Sequence, residues 1–200
     1  MSDLFTTVKP YLDHYGYWAL FGTILLENFG LPVPGETLLI ASALLASQGQ
    51  MHIVLLLLIA WVAAVTGDNI GYAIGRFGGR KLVLRYGNYV LISEKRLQKA
   101  EGFFRRYGGA VVVVARFFAI LRQLNGIVAG TVKMNWHRFL VYNILGAALW
   151  VSFWTMLFYK LGEKAFRYGA GFKTLQYFLL GGLVATALAL AVHLLRRRKD

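Results

Sequence analysis

Residues 18–48, WALFGTILLENFGLPVPGETLLIASALLASQ, settle whether this chain meets a membrane as plain rods or as broken helices. The stretch is apolar enough for a bilayer. Yet Gly30, Pro32, Pro34 and Gly35 interrupt it, and Glu27 and Glu36 charge it. Proline lacks the N–H that a helix interior needs and clashes with the turn before it, so one continuous helix is ruled out. Non-helical backbone survives at membrane depth only when protein encloses it or water lines it. About 31 residues make roughly 46 Å of helix at ~1.5 Å each, whereas two crossings of a ~30 Å hydrocarbon layer need nearer ~60 Å. A re-entrant hairpin is therefore expected over 18–48 rather than two spans. Glu36 opens its second half-helix, where unpaired N–H groups and the dipole favour a carboxylate. Capping alone would also account for it.

A second broken stretch follows at 109–130, GAVVVVARFFAILRQLNGIVAG, with Arg116 and Arg122 inside it. Ionisable side chains at this depth cost roughly 2.5–3.5 kcal/mol each on insertion scales, so a chain that keeps them is expected to use them. Six residues amount to about 240° around a helix, which would put the two arginines on different sides. A break between them would turn both inward. Arginine keeps its charge when buried and grips phosphate through a fixed fork of donors. With half-helix N-termini nearby, Arg116 and Arg122 form a candidate site for an anionic head group. The plainer alternative is structural pairing with Glu27, Glu36 or Asp68. These three acids are candidates for proton exchange or gating, because a carboxylate removed from water changes its hold on a proton.

Composition sets the class. Of 200 residues, 58% are hydrophobic, more than a soluble domain of this size carries. The absence of cysteine excludes disulfides and thiolate chemistry. His14, His52, His137 and His193 are scattered and suggest no metal site. No nucleophile–base pair or phosphate loop emerges, so neither an enzyme nor a cofactor is expected. The net charge of +13 collects beside apolar segments. Nine bases face two acids between Arg76 and Arg106, and Arg196, Arg197, Arg198 and Lys199 end the chain. Such clusters mark the cytoplasmic side and attract anionic lipid, which leaves no role for nucleic acid.

One membrane domain, 1–200, is expected. Residues 1–17 read as an interfacial amphipathic helix restarted at Pro10, and 53–75 as a spanning helix. Gly67, Gly71, Gly75 and Gly79 form a stripe on that span along which another helix can approach closely. Residues 93–107 read as a cytoplasmic amphipathic helix with Ser93 as its cap. A span follows at 139–159, with Asn143 inside it and Trp150, Trp154 and Tyr159 toward its far end. A third span, 177–195, precedes the basic tail 196–200, so the C-terminus is expected in the cytoplasm. Counting crossings makes 109–130 a hairpin entered from the cytoplasmic side and 18–48 its opposite. The expected fold is thus an all-α polytopic membrane protein. It has two opposed re-entrant hairpins, each followed by a span, in the inverted-repeat plan of secondary transporters. Glu27 and Glu36 of one hairpin would face Arg116 and Arg122 of the other.

Four motifs in order carry a family resemblance: ENFGLPVPGE (27–36), GDNIGYAIGRFGG (67–79), ARFFAILRQLNGIVAG (115–130) and NILGAALW (143–150). Together they resemble the DedA family, also described by the SNARE-associated or VTT domain, and most closely its bacterial members. The resemblance implies a lipid transporter of the bacterial plasma membrane, with undecaprenyl phosphate or a phospholipid as substrate and protons as coupling ion. It implies functional roles for Glu27, Glu36, Arg116 and Arg122. It also implies a motif role for Asp68 and Arg76, and structural roles for Pro32, Pro34, Gly35, Gly67, Gly71, Gly75, Gly130 and Asn143. The alternative is a proton-coupled carrier of a small solute or drug. An oligomer is compatible with either.

Overall fold

The computed structural model describes residues 2–31, 33–87 and 94–167. The span expected at 177–195, the tail 196–200, Pro32 and Ser93 lie outside the described residues. The described chain is helical, with no strand. Its helices are α1 (Ser2–Asn28), α2 (Gly35–Ser47), α3 (Ile53–Gly87), α4 (Glu94–Tyr107), α5 (Ala110–Val114), α6 (Ala119–Thr131) and α7 (Trp136–Arg167). The separate helix expected over 1–17 is instead the first part of α1, which runs unbroken through Pro10 into 18–28. Proline's fixed φ is itself helical, so a helix can run through one at a cost, the missing donor and the crowding of the turn before it.

The first broken stretch folds back on itself. Gly30 takes φ +107°, a conformation that side chains rarely allow, and ends α1. The Leu31 N–H reaches the Leu26 carbonyl at 3.0 Å and the Gly30 N–H that of Glu27 at 3.2 Å, a Schellman cap. Pro34 then leads into α2. The arms return to one level, where the His52 N–H donates to the Tyr17 hydroxyl at 2.7 Å. In the second stretch, α5 runs into a 3-10 turn, Ala115–Phe117. The chain opens at Phe118 (φ −116°, ψ 114°) and reverses into α6. Asn125 ties the arms together, its amide donating to the Val112 carbonyl at 2.9 Å.

Among the described residues, two helices are long and apolar enough to cross a bilayer: Ile53–Gly79 within α3 and Trp136–Lys164 within α7. At Gly79 the turn to φ +64° breaks helical geometry and ends the first. Asn135 caps the second, its side-chain oxygen accepting the Arg138 N–H at 3.3 Å. Both helices point apolar side chains outward, among them Val54, Leu58, Val62, Leu145, Leu149 and Phe153. Asp68 and Asn143, which these helices carry, are buried. That inversion suits lipid rather than water as the surrounding medium.

The two fold-backs enter from opposite ends of α3. Gly67 lies on the Leu25 carbonyl and Asn28, so α1 advances beside the first half of α3. Gly71 and Gly75 lie on the Ile127 backbone, while Gly126 and Gly130 lie on the backbone at Asp68 and Tyr72. A Cβ at Gly75, Gly126 or Gly130 would run into main-chain atoms. The stripe therefore takes α1 at Gly67 and α6 at Gly71 and Gly75, the small-residue approach expected of it. The apolar core divides accordingly. Leu20, Ile24, Leu39, Leu56 and Trp150 pack at the first fold-back. Tyr72, Val112, Val128 and Phe139 pack at the second. Along α3 and α7, Asp68 and Asn143 fall between these two clusters.

Candidate functional site

The turns of the two fold-backs meet in that polar layer. Arg122 lies one turn inside α6 and is 2% exposed. Its Nη2 donates to Glu27 Oε1 at 2.7 Å, and its Nη1 pairs with Glu36 Oε2 at 2.8 Å. Glu27 is buried in the last turn of α1, whereas the Glu36 side chain, in the first turn of α2, is 31% exposed. Gly35 permits the closeness, since a Cβ there would strike the Glu27 carboxylate and the Thr23 carbonyl. The face of the guanidinium stacks on Trp150 with Cζ 4.5 Å from the ring centroid. Thus α7 supplies a cation–π wall while two carboxylates hold the edges.

Arg116 sits apart from that cluster. It is wholly buried, and its Nη2 donates to Asp68 Oδ2 on α3 and to Asn143 Oδ1 on α7. Asn143 is oriented in turn by donating from Nδ2 to the Val65 carbonyl at 3.1 Å. Gly146 gives the Arg116 stem room against α7. The break does turn both arginines inward, but it sends them to different partners. The expectation that Glu27 and Glu36 face both arginines is corrected here: they share Arg122, and Arg116 takes Asp68. The 3-10 turn rotates Arg116 toward α3 before the chain reverses at Phe118, while α6 carries Arg122 back toward α1 and α2.

Three acids therefore face two arginines, an excess of one negative charge if all are ionised. Among the described residues, Arg116 Nε and Nη1 and Arg122 Nε are buried donors without a protein acceptor. Glu27 Oε2 and Asp68 Oδ1 are buried acceptors in the same position. Such a cluster has capacity to exchange an internal carboxylate for another oxyanion, and proton uptake would correct its charge. Among the described residues no group of three or more His, Asp or Glu could hold a metal ion.

Of the remaining sequence candidates, Pro34 precedes α2 and is exposed, and Gly67, Gly71, Gly75 and Gly130 serve helix contacts. Asn143 belongs to the Arg116 triad. Arg76 is exposed and lies two turns beyond Asp68, about 12 Å along α3. It joins neither arginine. Three contributors go unmarked by the sequence patterns. Trp150 passes for a far-end aromatic but is fully buried against Arg122. Gly126 packs on Asp68, and its four-residue spacing to Gly130 is the signal that would have found it. Asn125 has no such signal, because its amide bonds across the fold-back.

The family model described as the VTT domain matches residues 33–160. The chain is 39% identical over 157 residues to a membrane protein of Synechocystis, covering 78% of this chain and 72% of that one. To Protein DedA of Escherichia coli it is 30% identical over 193 residues, covering 92% and 86%. To undecaprenyl phosphate transporter A of Staphylococcus aureus it is 28% identical over 196 residues, covering 96% and 97%. No solved structure matches the chain. A family match over more than half the chain, joined to two described helices long and apolar enough to cross a bilayer, makes this protein a member of the VTT-domain, or DedA, family of membrane proteins.

Proposed function

We propose that this protein carries a single-phosphate lipid, undecaprenyl phosphate or a related anionic phospholipid, across the bacterial plasma membrane. In this reading the two fold-backs are re-entrant hairpins entering from opposite faces. Hairpin plus span occurs twice as an inverted repeat, and the basic C-terminus lies in the cytoplasm. The lipid phosphate binds in the layer between the hairpin turns while its tail stays in the bilayer.

The observation that carries the reading is Arg122 held by two unlike carboxylates, one buried and one 31% exposed. Glu36 reaches solvent with least cost, so it is the carboxylate that yields to the phosphate. Glu27 remains as fixed counter-ion. An anion cannot enter a layer that already carries excess negative charge unless a proton comes with it, which makes proton coupling part of the proposal. Asp68 holds Arg116, whose free donors extend the positive field toward the seat. The relatives named undecaprenyl phosphate transporter A support the choice of lipid.

The test is flipping of undecaprenyl phosphate in liposomes by the wild type, Arg122→Ala and Glu27→Gln at equal incorporation. The expected result is loss in both variants. Equal flipping in all three overturns the reading, and saturable uptake of a soluble solute without lipid movement replaces it with the small-solute alternative.

A further inference from the structure

We infer that the open cleft between α3 and the start of α7 is a second lipid site, one that seats an anionic phospholipid of the surrounding bilayer. The cleft has a volume of about 820 Å³. That is ample for a head group and the first part of its chains, since drug-sized ligands occupy pockets of ~300–1,000 Å³. It is separate from the Arg122 seat. Neither Arg122 nor its partners Glu27, Glu36 and Trp150 line it.

Its chemistry grades along its length. Arg76 from α3 and His137 from α7 face it, with Asn135 beside them. Ala73, Phe77 and Leu140 supply an apolar flank, and Phe77 is 88% exposed. None of its described lining residues is acidic. Trp136 is pinned across it, the indole N–H donating to Asn69 Oδ1 at 3.1 Å. Lys133 and Arg138, both exposed, add positive charge beside it in the chain. A guanidinium fork and an imidazole donor on two different spans, above an apolar flank and beside an indole, match a phosphodiester head group with its acyl chain. Basic pockets between spanning helices bind anionic head groups in this way. The site assigns Arg76 a task outside the Arg116 and Arg122 layer, and it does not depend on what that layer transports.

The full chain is equilibrated with equimolar phosphatidylglycerol and phosphatidylcholine, and the lipid it retains is counted by native mass spectrometry. The wild type is expected to retain phosphatidylglycerol over phosphatidylcholine. Arg76→Ala lowers that retention roughly fivefold, in the wild type and in an Arg122→Ala background alike, and Arg76→Lys lowers it less. His137→Ala, on the other helix, repeats the test if Arg76→Ala does not fold. Equal retention of the two lipids, or wild-type retention in both Arg76→Ala and His137→Ala, overturns the inference. An Arg76→Ala effect that vanishes in the Arg122→Ala background also overturns it, since the lipid lost would then belong to the central layer.

Discussion

Arg116 and Arg122 flank one break, six residues apart, and the protein treats them differently. Arg116 is closed in by Asp68 and Asn143, all three essentially inaccessible. Arg122 has one partner open to solvent, and an aromatic face that does not depend on which oxygens hold its edge. Equal cost of burial thus yields two unlike devices. The first is a rivet joining the second fold-back to both spans. The second, in the function proposed, is a clasp that can open.

Several substitutions would break or sharpen that contrast. The largest effect is expected from Arg116→Ala, which strands Asp68 as an unpaired buried charge and costs about 3–5 kcal/mol. Thermal unfolding in detergent should show it, and Arg116→Met combined with Asp68→Leu should recover much of the loss. A wild-type melt for Arg116→Ala would remove the rivet. Next comes Gly126→Leu, which forces α6 off the Asp68 backbone and should cost about 1–3 kcal/mol or more. Gly102→Ala, which meets nothing within 4 Å, is its control and should not destabilise. Trp150→Phe keeps a π face for Arg122 and Trp150→Leu does not. The two should differ by about 0.5–2 kcal/mol in stability, with transport following the same order. The smallest stability change belongs to Glu36→Gln, about 1 kcal/mol or less, because its side chain is partly exposed and Arg122 keeps Glu27 as counter-ion. Its effect should appear in transport rate. If Glu36→Gln melts as early as Arg116→Ala, the clasp is as rigid as the rivet and the contrast fails.

Much of this arrangement is legible in local patterns. The Gly30–Gly35 region cannot continue a helix, and the chain breaks there. Where spans are expected at 53–75 and 139–159, helices apolar enough to cross a bilayer run over Ile53–Gly79 and Trp136–Lys164. The glycine stripe marks a close contact, and the contact is with α6 and α1. In α4, Phe104 is buried, while Phe103 and Tyr107 stay exposed and stack at 5.9 Å. Amphipathic spacing therefore identified the helix but not which residues of its face enter the core. The pairing of charges was not legible. Asp68 and Arg116 are 48 residues apart, Glu27 and Arg122 are 95 apart, and spacing carries no information over such distances.

The sequence by itself determined where helices break, which segments are apolar enough to span, and that five ionisable groups are kept among them. These follow from proline and glycine geometry and from the cost of charge in hydrocarbon, both local properties. Only the tertiary structure decided who holds whom. Glycine-to-backbone contact fixes the register of α6 on α3, and with it the level at which Asp68 meets the second fold-back. The turn at Phe118 then gives Arg116 to Asp68 and leaves Arg122 to Glu27, Glu36 and Trp150. A guanidinium will pair with any carboxylate within reach, so packing rather than residue chemistry enclosed one pair and left a partner of the other partly exposed.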